Sequence, residues 1–197
     1  MAGITRYDAR RALTRFGGQA KALGGALTVM WGALAANALA AGALFSYGIV
    51  PRTLTGLRGI LFAPFIHGSV EHLLSNSVPF AVLGWLVLTR GRRRFIGVTL
   101  AAMLGAGLSA WLLGAPGSVH VGASGVIFGY LGYLMLNGWY ERRLIPILMS
   151  VDVTALWGGV AFGVLPGQPG VSWQAHLGGF VAGLWAAKRL HRTEAFR

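Results

Sequence analysis

The stretch from Gly117 to Gly138, GSVHVGASGVIFGYLGYLMLNG, decides the architecture of this chain. It closes a charge-free run from Phe95 to Gly138, long enough for two membrane-spanning helices of roughly 20 residues each. Gly114-Ala115-Pro116-Gly117 marks the break between them, because glycine and proline punctuate helices. From Ser124 to Gly138 is only 15 residues. At ~1.5 Å per residue such a helix reaches about 22 Å, short of the ~30 Å hydrocarbon core. Gly117–Ala123 is therefore expected to dip into the protein as a loop before the helix starts. Irregular backbone at that depth is tolerated only where protein buries it or where it lines a wet cavity. Ser124 then falls on a helix N-terminus, whose free N–H groups and positive dipole end favour an anion.

The rest of the chain has the same texture. Ala22–Val50 and Leu73–Thr89 carry no charge, and Leu144–Ala187 carries only Asp152. The first two give one span each, and the last gives two, broken at Pro166-Gly167-Gln168-Pro169-Gly170. With 55% hydrophobic residues, 11% charged residues and a mean hydropathy of +0.62, the composition departs from soluble domains, where about a quarter of residues are charged. The expected fold is an all-α membrane protein, a bundle of six transmembrane helices. The expected spans are about Leu23–Ser46, Val70–Thr89, a third ending at Leu113, Ser124–Gly138, a fifth ending at Leu165, and Trp173–Lys188. In the connection Tyr47–Ile66, Leu54, Leu57, Ile60, Leu61 and Phe65 recur at roughly helical spacing. That spacing predicts short amphipathic pieces in the outer interface.

A net charge of +12 taken alone points to nucleic acid, but its distribution points to a membrane surface. Of seventeen basic residues only Arg52 and Arg58 fall on one side of the alternating spans; the other fifteen fall opposite, which makes that face cytoplasmic. Both termini then lie inside, and no nucleic-acid partner is expected. Three parts result: a short basic cytoplasmic arm at 1–21, a membrane domain at 22–190, and a cytoplasmic tail at 191–197. The short arm fits a bacterial inner membrane. Ala38-Leu39-Ala40 imitates a leader cleavage site, but the apolar core before it is far longer than the usual ~7–15 residues, so the segment is read as a retained span. There is no cysteine, which removes disulfide and thiol chemistry.

Polar residues inside such spans are costly and mark function or pairing. The second, fourth and sixth spans all start at the outer side. They open with His67, His72 and Asn76; with Gly122-Ala123-Ser124-Gly125; and with Gln174-Ala175-His176. Water can reach all of these from outside, as a hydrolase requires. His176, Gly179 and Gly183 share one helix face, and small residues there let a neighbour approach closely. If the neighbour is the fourth span, where Gly125, Gly129 and Gly132 offer a matching small face, His176 is brought to Ser124. A neutral imidazole in that place takes the hydroxyl proton, the activating step of Ser–His chemistry. His72 and Asn76, at i and i+4, share a face and offer two donors to an oxyanion. Each residue has a plainer reading: Ser124 as a helix-packing serine, His72 and Asn76 as interhelical glue, His67 as a stabiliser of the outer loop with no catalytic step. Asp152 is read as structural or protonated, with Thr154 or Trp157 as partner. Glu71 is expected to face the outer aqueous interface.

His67-x4-His72-x3-Asn76, Gly122-Ala-Ser124-Gly125 and Ala175-His176-x2-Gly179-x3-Gly183, in that order over nearly the whole chain, resemble the rhomboid family of intramembrane serine proteases. The resemblance implies a six-helix core and a Ser124–His176 dyad without an acidic third member. It implies oxyanion stabilisation by His72, Asn76 and the Ser124 backbone N–H, with Gly122 shaping the loop. It further implies that Tyr47–Ile66 is a membrane-embedded outer loop and that the fifth span and Pro166–Gly170 form gate and cap. Two departures stand out. Phe128 replaces a common tyrosine and can still pack on the His176 ring, and the family's Trp-Arg pair is absent from the outer loop, leaving Arg58.

The expected function is thus an intramembrane serine endopeptidase acting on single-span membrane proteins, with no cofactor or metal. The alternatives are a non-catalytic membrane adaptor on the same fold, against which the intact serine and histidine argue, and a small-solute transporter. A transporter needs a polar path to the cytoplasm, and spans three to six offer little beyond Asp152 and Asn137. No His-Glu-x-x-His zinc motif occurs, nor a pair of membrane aspartates for an acid dyad.

Overall fold

The computed structural model describes residues 6–168 and 170–195. Among these the chain forms seven α-helices: α1 Arg6–Leu39, α2 Gly59–Phe62, α3 Val70–Thr89, α4 Arg92–Leu113, α5 Ser124–Glu141, α6 Leu144–Trp157 and α7 Trp173–Ala195. Extended pairing among the described residues is confined to a single antiparallel bridge, Ile49 with His120. Among the described residues four segments are long and apolar enough to cross a membrane: Phe16–Leu39, Val70–Thr89, Arg92–Leu113 and Leu144–Val164.

The other two expected spans fall outside that set: α7 carries Gln174, His176, Lys188 and Arg189, and α5 carries polar groups that its place in the bundle accommodates. α5 is the centre of the bundle, against α7, α6, α4 and α3, and nearly all of it is buried. A helix enclosed by protein can carry polar groups if each finds a partner. The Tyr130 hydroxyl pairs with Thr99 Oγ1 at 2.8 Å, and Ser150 Oγ donates to the Leu134 carbonyl at 2.6 Å. The outer helices are inverted relative to a soluble protein. Ile96, Leu100, Leu104, Leu108 and Leu112 follow one another at four-residue spacing along α4 and are all exposed, while Val98, Ala102, Ala106 and Ala110 face inward. A continuous apolar exterior of this kind belongs to a protein embedded in lipid.

α1 departs from the expected span at both ends. It already runs through the basic segment from Arg6, and it stops at Leu39 rather than near Ser46. The Asn37 side chain accepts the Leu44 N–H at 2.9 Å, and a 3-10 turn, Ala43–Tyr47, follows. The connection to α3 consists of short pieces as its periodicity predicts: a 3-10 turn at Thr55–Arg58, α2, and a 3-10 turn at Ala63–Phe65. Arg58 sits over the Tyr47 ring at 4.5 Å and donates to the Ser46 carbonyl at 2.9 Å, so a Tyr–Arg contact orders a loop that lacks the Trp-Arg pair. α6 ends at Trp157 and continues as a 3-10 segment, Gly158–Val164. At the far end of α3 and α5, Glu141 bridges Arg90 and Arg94. Pro169, in the expected cap loop, lies outside the described residues.

Candidate active site

The expected dip before α5 is present. Residues 114–123 are non-helical and are pinned from the outer connection. The Gly122 N–H donates to the Ala63 carbonyl at 2.9 Å, and the Ala123 N–H donates to His67 Nε2 at 3.3 Å. Gly122 has a φ of 116°, open to glycine, and a Cβ there would lie 2.8 Å from the His72 ring. His67 is fully buried. Burial, then the neighbouring His72, push its imidazole down to about 4. The Phe65 carbonyl opposes this in a geometry too poor to count as a hydrogen bond. His67 therefore stays neutral and ties the outer loop to the turn before Ser124.

Ser124 is the first residue of α5, so its N–H has no acceptor within the helix. Its Oγ lies 2.8 Å from His176 Nε2. His176 Nδ1 lies 2.9 Å from the Gly163 carbonyl oxygen. A carbonyl only accepts, so Nδ1 carries the ring proton and Nε2 is free to accept the Ser124 hydroxyl. The Phe128 ring, one turn into α5, stacks on the imidazole with centroids 4.1 Å apart and planes 10° apart. The approach of α5 to α7 depends on the glycines named from sequence. A Cβ on Gly179 would overlap the Gly125 carbonyl, and one on Gly183 the Gly129 carbonyl.

His72 and Asn76 line the same cavity as Ser124 and His176, with a volume of about 600 Å³. His72 Nδ1 accepts the Gly68 N–H at 3.5 Å, which leaves the ring proton on Nε2, toward Gly122. Asn76 Nδ2 donates to the His72 carbonyl at 2.8 Å. One of its two amide protons is thus committed to α3 itself, and the pair offers fewer free protons than the sequence suggests.

The pairing of Asp152 with Thr154 is not formed. Asp152 is exposed on α6, and Thr154 Oγ1 donates to the Ser150 carbonyl at 2.7 Å rather than to the carboxylate. Glu71 is exposed, as expected. Three residues at the site were not singled out from sequence. Gly163 acts through a backbone carbonyl, which has no sequence signature. His120 and Ser172 stand four residues before Ser124 and His176, a spacing that was legible. Among the described residues no cluster of metal-ligating side chains occurs.

Fold and site together define a membrane-embedded helical bundle holding a serine–imidazole pair over a cavity. A family model described as Rhomboid domain matches residues 54–193, and the chain belongs to the rhomboid family. An uncharacterized protein of Mycobacterium tuberculosis is 41% identical over 155 residues, covering 75% of this chain and 65% of the relative. RHOMBOID-like protein 4 of Arabidopsis thaliana is 32% identical over 145 residues, 68% of this chain and 34% of the relative. Rhomboid-like protease 5 of Toxoplasma gondii is also 32% identical over 145 residues, 70% of this chain and 17% of the relative. The chain spans 65% of the length of the mycobacterial protein that it matches.

Proposed function

We propose that this chain is an intramembrane serine endopeptidase that cuts single-span membrane proteins near the outer face of a bacterial inner membrane. One observation carries the reading: a continuous hydrogen-bond line from the Gly163 carbonyl through His176 to Ser124 Oγ, opening on a cavity. In this reading residues 22–190 form the six-span membrane domain, with the arm 1–21 and the tail 191–197 both cytoplasmic. The Arg90–Glu141–Arg94 cluster, at the end of α3 and α5 opposite the site, supports that orientation.

A substrate helix arrives laterally and unwinds locally, because a helical carbonyl is already hydrogen-bonded. Ser124 Oγ attacks the carbonyl carbon as its proton passes to His176 Nε2. The Gly163 carbonyl, accepting from Nδ1–H, stabilises the imidazolium in place of a carboxylate. The tetrahedral oxyanion takes hydrogen bonds from the Ser124 N–H, His72 Nε2–H and the uncommitted Asn76 proton, each worth ~10²–10³ in rate at comparable acyl-transfer sites. His176 returns the proton to the leaving nitrogen as the C–N bond breaks, leaving an ester on Ser124. Water then gives a proton to His176 and attacks the ester, and Ser124 Oγ leaves with that proton. The tight, glycine-lined approach favours small residues at the scissile bond.

The test is cleavage of a single-span reporter in liposomes by wild type and by Ser124→Ala. The expected result is loss of cleavage in the variant, with fluorophosphonate labelling of Ser124 that disappears in His176→Ala. Cleavage surviving Ser124→Ala refutes the reading, and a wild type that neither cleaves nor labels supports the adaptor instead.

A further inference from the structure

A second hydroxyl–imidazole pair joins the same two chain segments. His120 Nδ1 lies 2.6 Å from Ser172 Oγ. The partners are 52 residues apart, the same separation as in the Ser124–His176 pair. His120 precedes Ser124 by four residues, and Ser172 precedes His176 by four. The two contacts are parallel rungs between the loop that leads into α5 and the start of α7. The Ser172 carbonyl also accepts the His176 N–H at 3.1 Å, so Ser172 is coupled to His176 through the first turn.

The direction of the upper rung follows from its neighbours. Ser118 Oγ donates to the Ala115 carbonyl at 2.7 Å, so it accepts from His120 Nε2, 2.9 Å away. With Nε2 protonated, the neutral ring presents a lone pair at Nδ1, and the Ser172 hydroxyl donates to it. The His120 backbone is fixed as well: its N–H and carbonyl both pair with Ile49, at 2.9 and 3.0 Å. His120 is thus an anchored post. Below the dyad, α5 and α7 meet mainly through glycine backbone, with Phe180 against Gly132 and Phe128 on the His176 ring, contacts that are apolar and carry no directional hydrogen bond. The polar rung at this end adds a directional restraint on the register of α7 against the loop before α5.

We propose that His120, acting through Ser172, is a positioning residue that holds His176 in register with Ser124. This rests on the assignment of Ser124 and His176 as nucleophile and base. The test uses the full chain in liposomes with the single-span reporter, with rates counted per active site by end-point fluorophosphonate titration, so that misfolded protein does not enter. Misplacing a reacting group by ~1 Å costs up to ~10²-fold. His120→Phe and Ser172→Ala are therefore each expected to lower kcat by roughly 10- to 100-fold with KM changed less than about 2-fold. The double variant falls no further than either single one, because both remove one contact. His120→Asn, whose Oδ1 can accept from Ser172, recovers most of the rate. Ser172→Ala removes one oxygen atom and tests the rung even if His120→Phe does not fold. Wild-type kcat in Ser172→Ala, additive losses in the double variant, or fluorophosphonate label on Ser172 in a Ser124→Ala background overturns the positioning role while the dyad stands. Cleavage by Ser124→Ala alone overturns the dyad itself, and the positioning role with it.

Discussion

Adding one methyl group at Gly179 tests how the proposed catalytic geometry is built. A Cβ there would occupy the space of the Gly125 carbonyl oxygen. Both sides of this contact are helix backbone, so no side chain can rotate away. Restoring an ordinary van der Waals distance requires α7 to move from α5 by roughly 1 Å or more. His176 lies one turn before Gly179 on the same face and moves with it. A displacement of that size stretches the 2.8 Å contact from His176 Nε2 to Ser124 Oγ beyond hydrogen-bonding range. Gly179→Ala is therefore expected to lower kcat by about 10²-fold and to destabilise the fold by ~1–3 kcal/mol, as overpacking does. Gly24→Ala is the control: a Cβ on that α1 glycine meets nothing within 4 Å, so activity stays at wild type and the helix gains up to ~1 kcal/mol in propensity. The assay is reporter cleavage in liposomes together with thermal unfolding in detergent. A Gly179→Ala enzyme with wild-type kcat refutes the claim that backbone contact between these helices sets the dyad.

Phe128→Ala removes the ring stacked on His176. Such contacts contribute ~0.5–1.5 kcal/mol, so a fall in kcat of about 2- to 10-fold is expected, while Phe128→Tyr keeps the stack and near-normal kcat. Glu141→Gln leaves Arg90 and Arg94 without their shared carboxylate partner, and because the cluster is only part-buried the cost is about 1 kcal/mol or more; the melting temperature in detergent falls, while the folded fraction still cleaves. His67 is neutral in the fold and titrates near 4 there, against about 6.5 when unfolded. Its folded value is the lower one, so stability is full above pH 6.5 and declines as pH falls toward 4, where the unfolded state binds the proton first. Thermal unfolding from pH 7.5 to 4.5 should show this decline, and His67→Gln should flatten it. An unchanged slope in that variant removes His67 as the cause.

Much of the bundle was legible because its signals are local. Charge-free runs and the arginines between them mark Val70–Thr89 and the third span ending at Leu113, and α3 and α4 match both. The short length of Ser124–Gly138 foretold the loop before α5. The limits of α1 were harder to read, because its basic first turns lack the apolar signal and its end depends on the Asn37 side chain turning back to Leu44. Composition also overstates the likeness of the six expected spans. α5 tolerates Tyr130 and Tyr133 because protein, not lipid, surrounds it, and enclosure is a property of the assembled bundle. Asp152 was given a partner on the same helix, yet Thr154 spends its proton on a carbonyl one turn back, as threonines in apolar helices do.

What the sequence determined by itself is the family and the side chains proposed to react: Ser124, His176, His72 and Asn76, with glycines spaced to let two helices touch. Side-chain identity and spacing along one helix are written directly in the chain. Only the tertiary structure decided what orients the imidazole and what aligns it. The Gly163 carbonyl holds Nδ1, and His120 meets Ser172 across 52 residues. Every residue has a carbonyl, and hydrogen bonds between distant segments arise only when packing brings them within 3 Å or so, so neither could be assigned before the helices were in place.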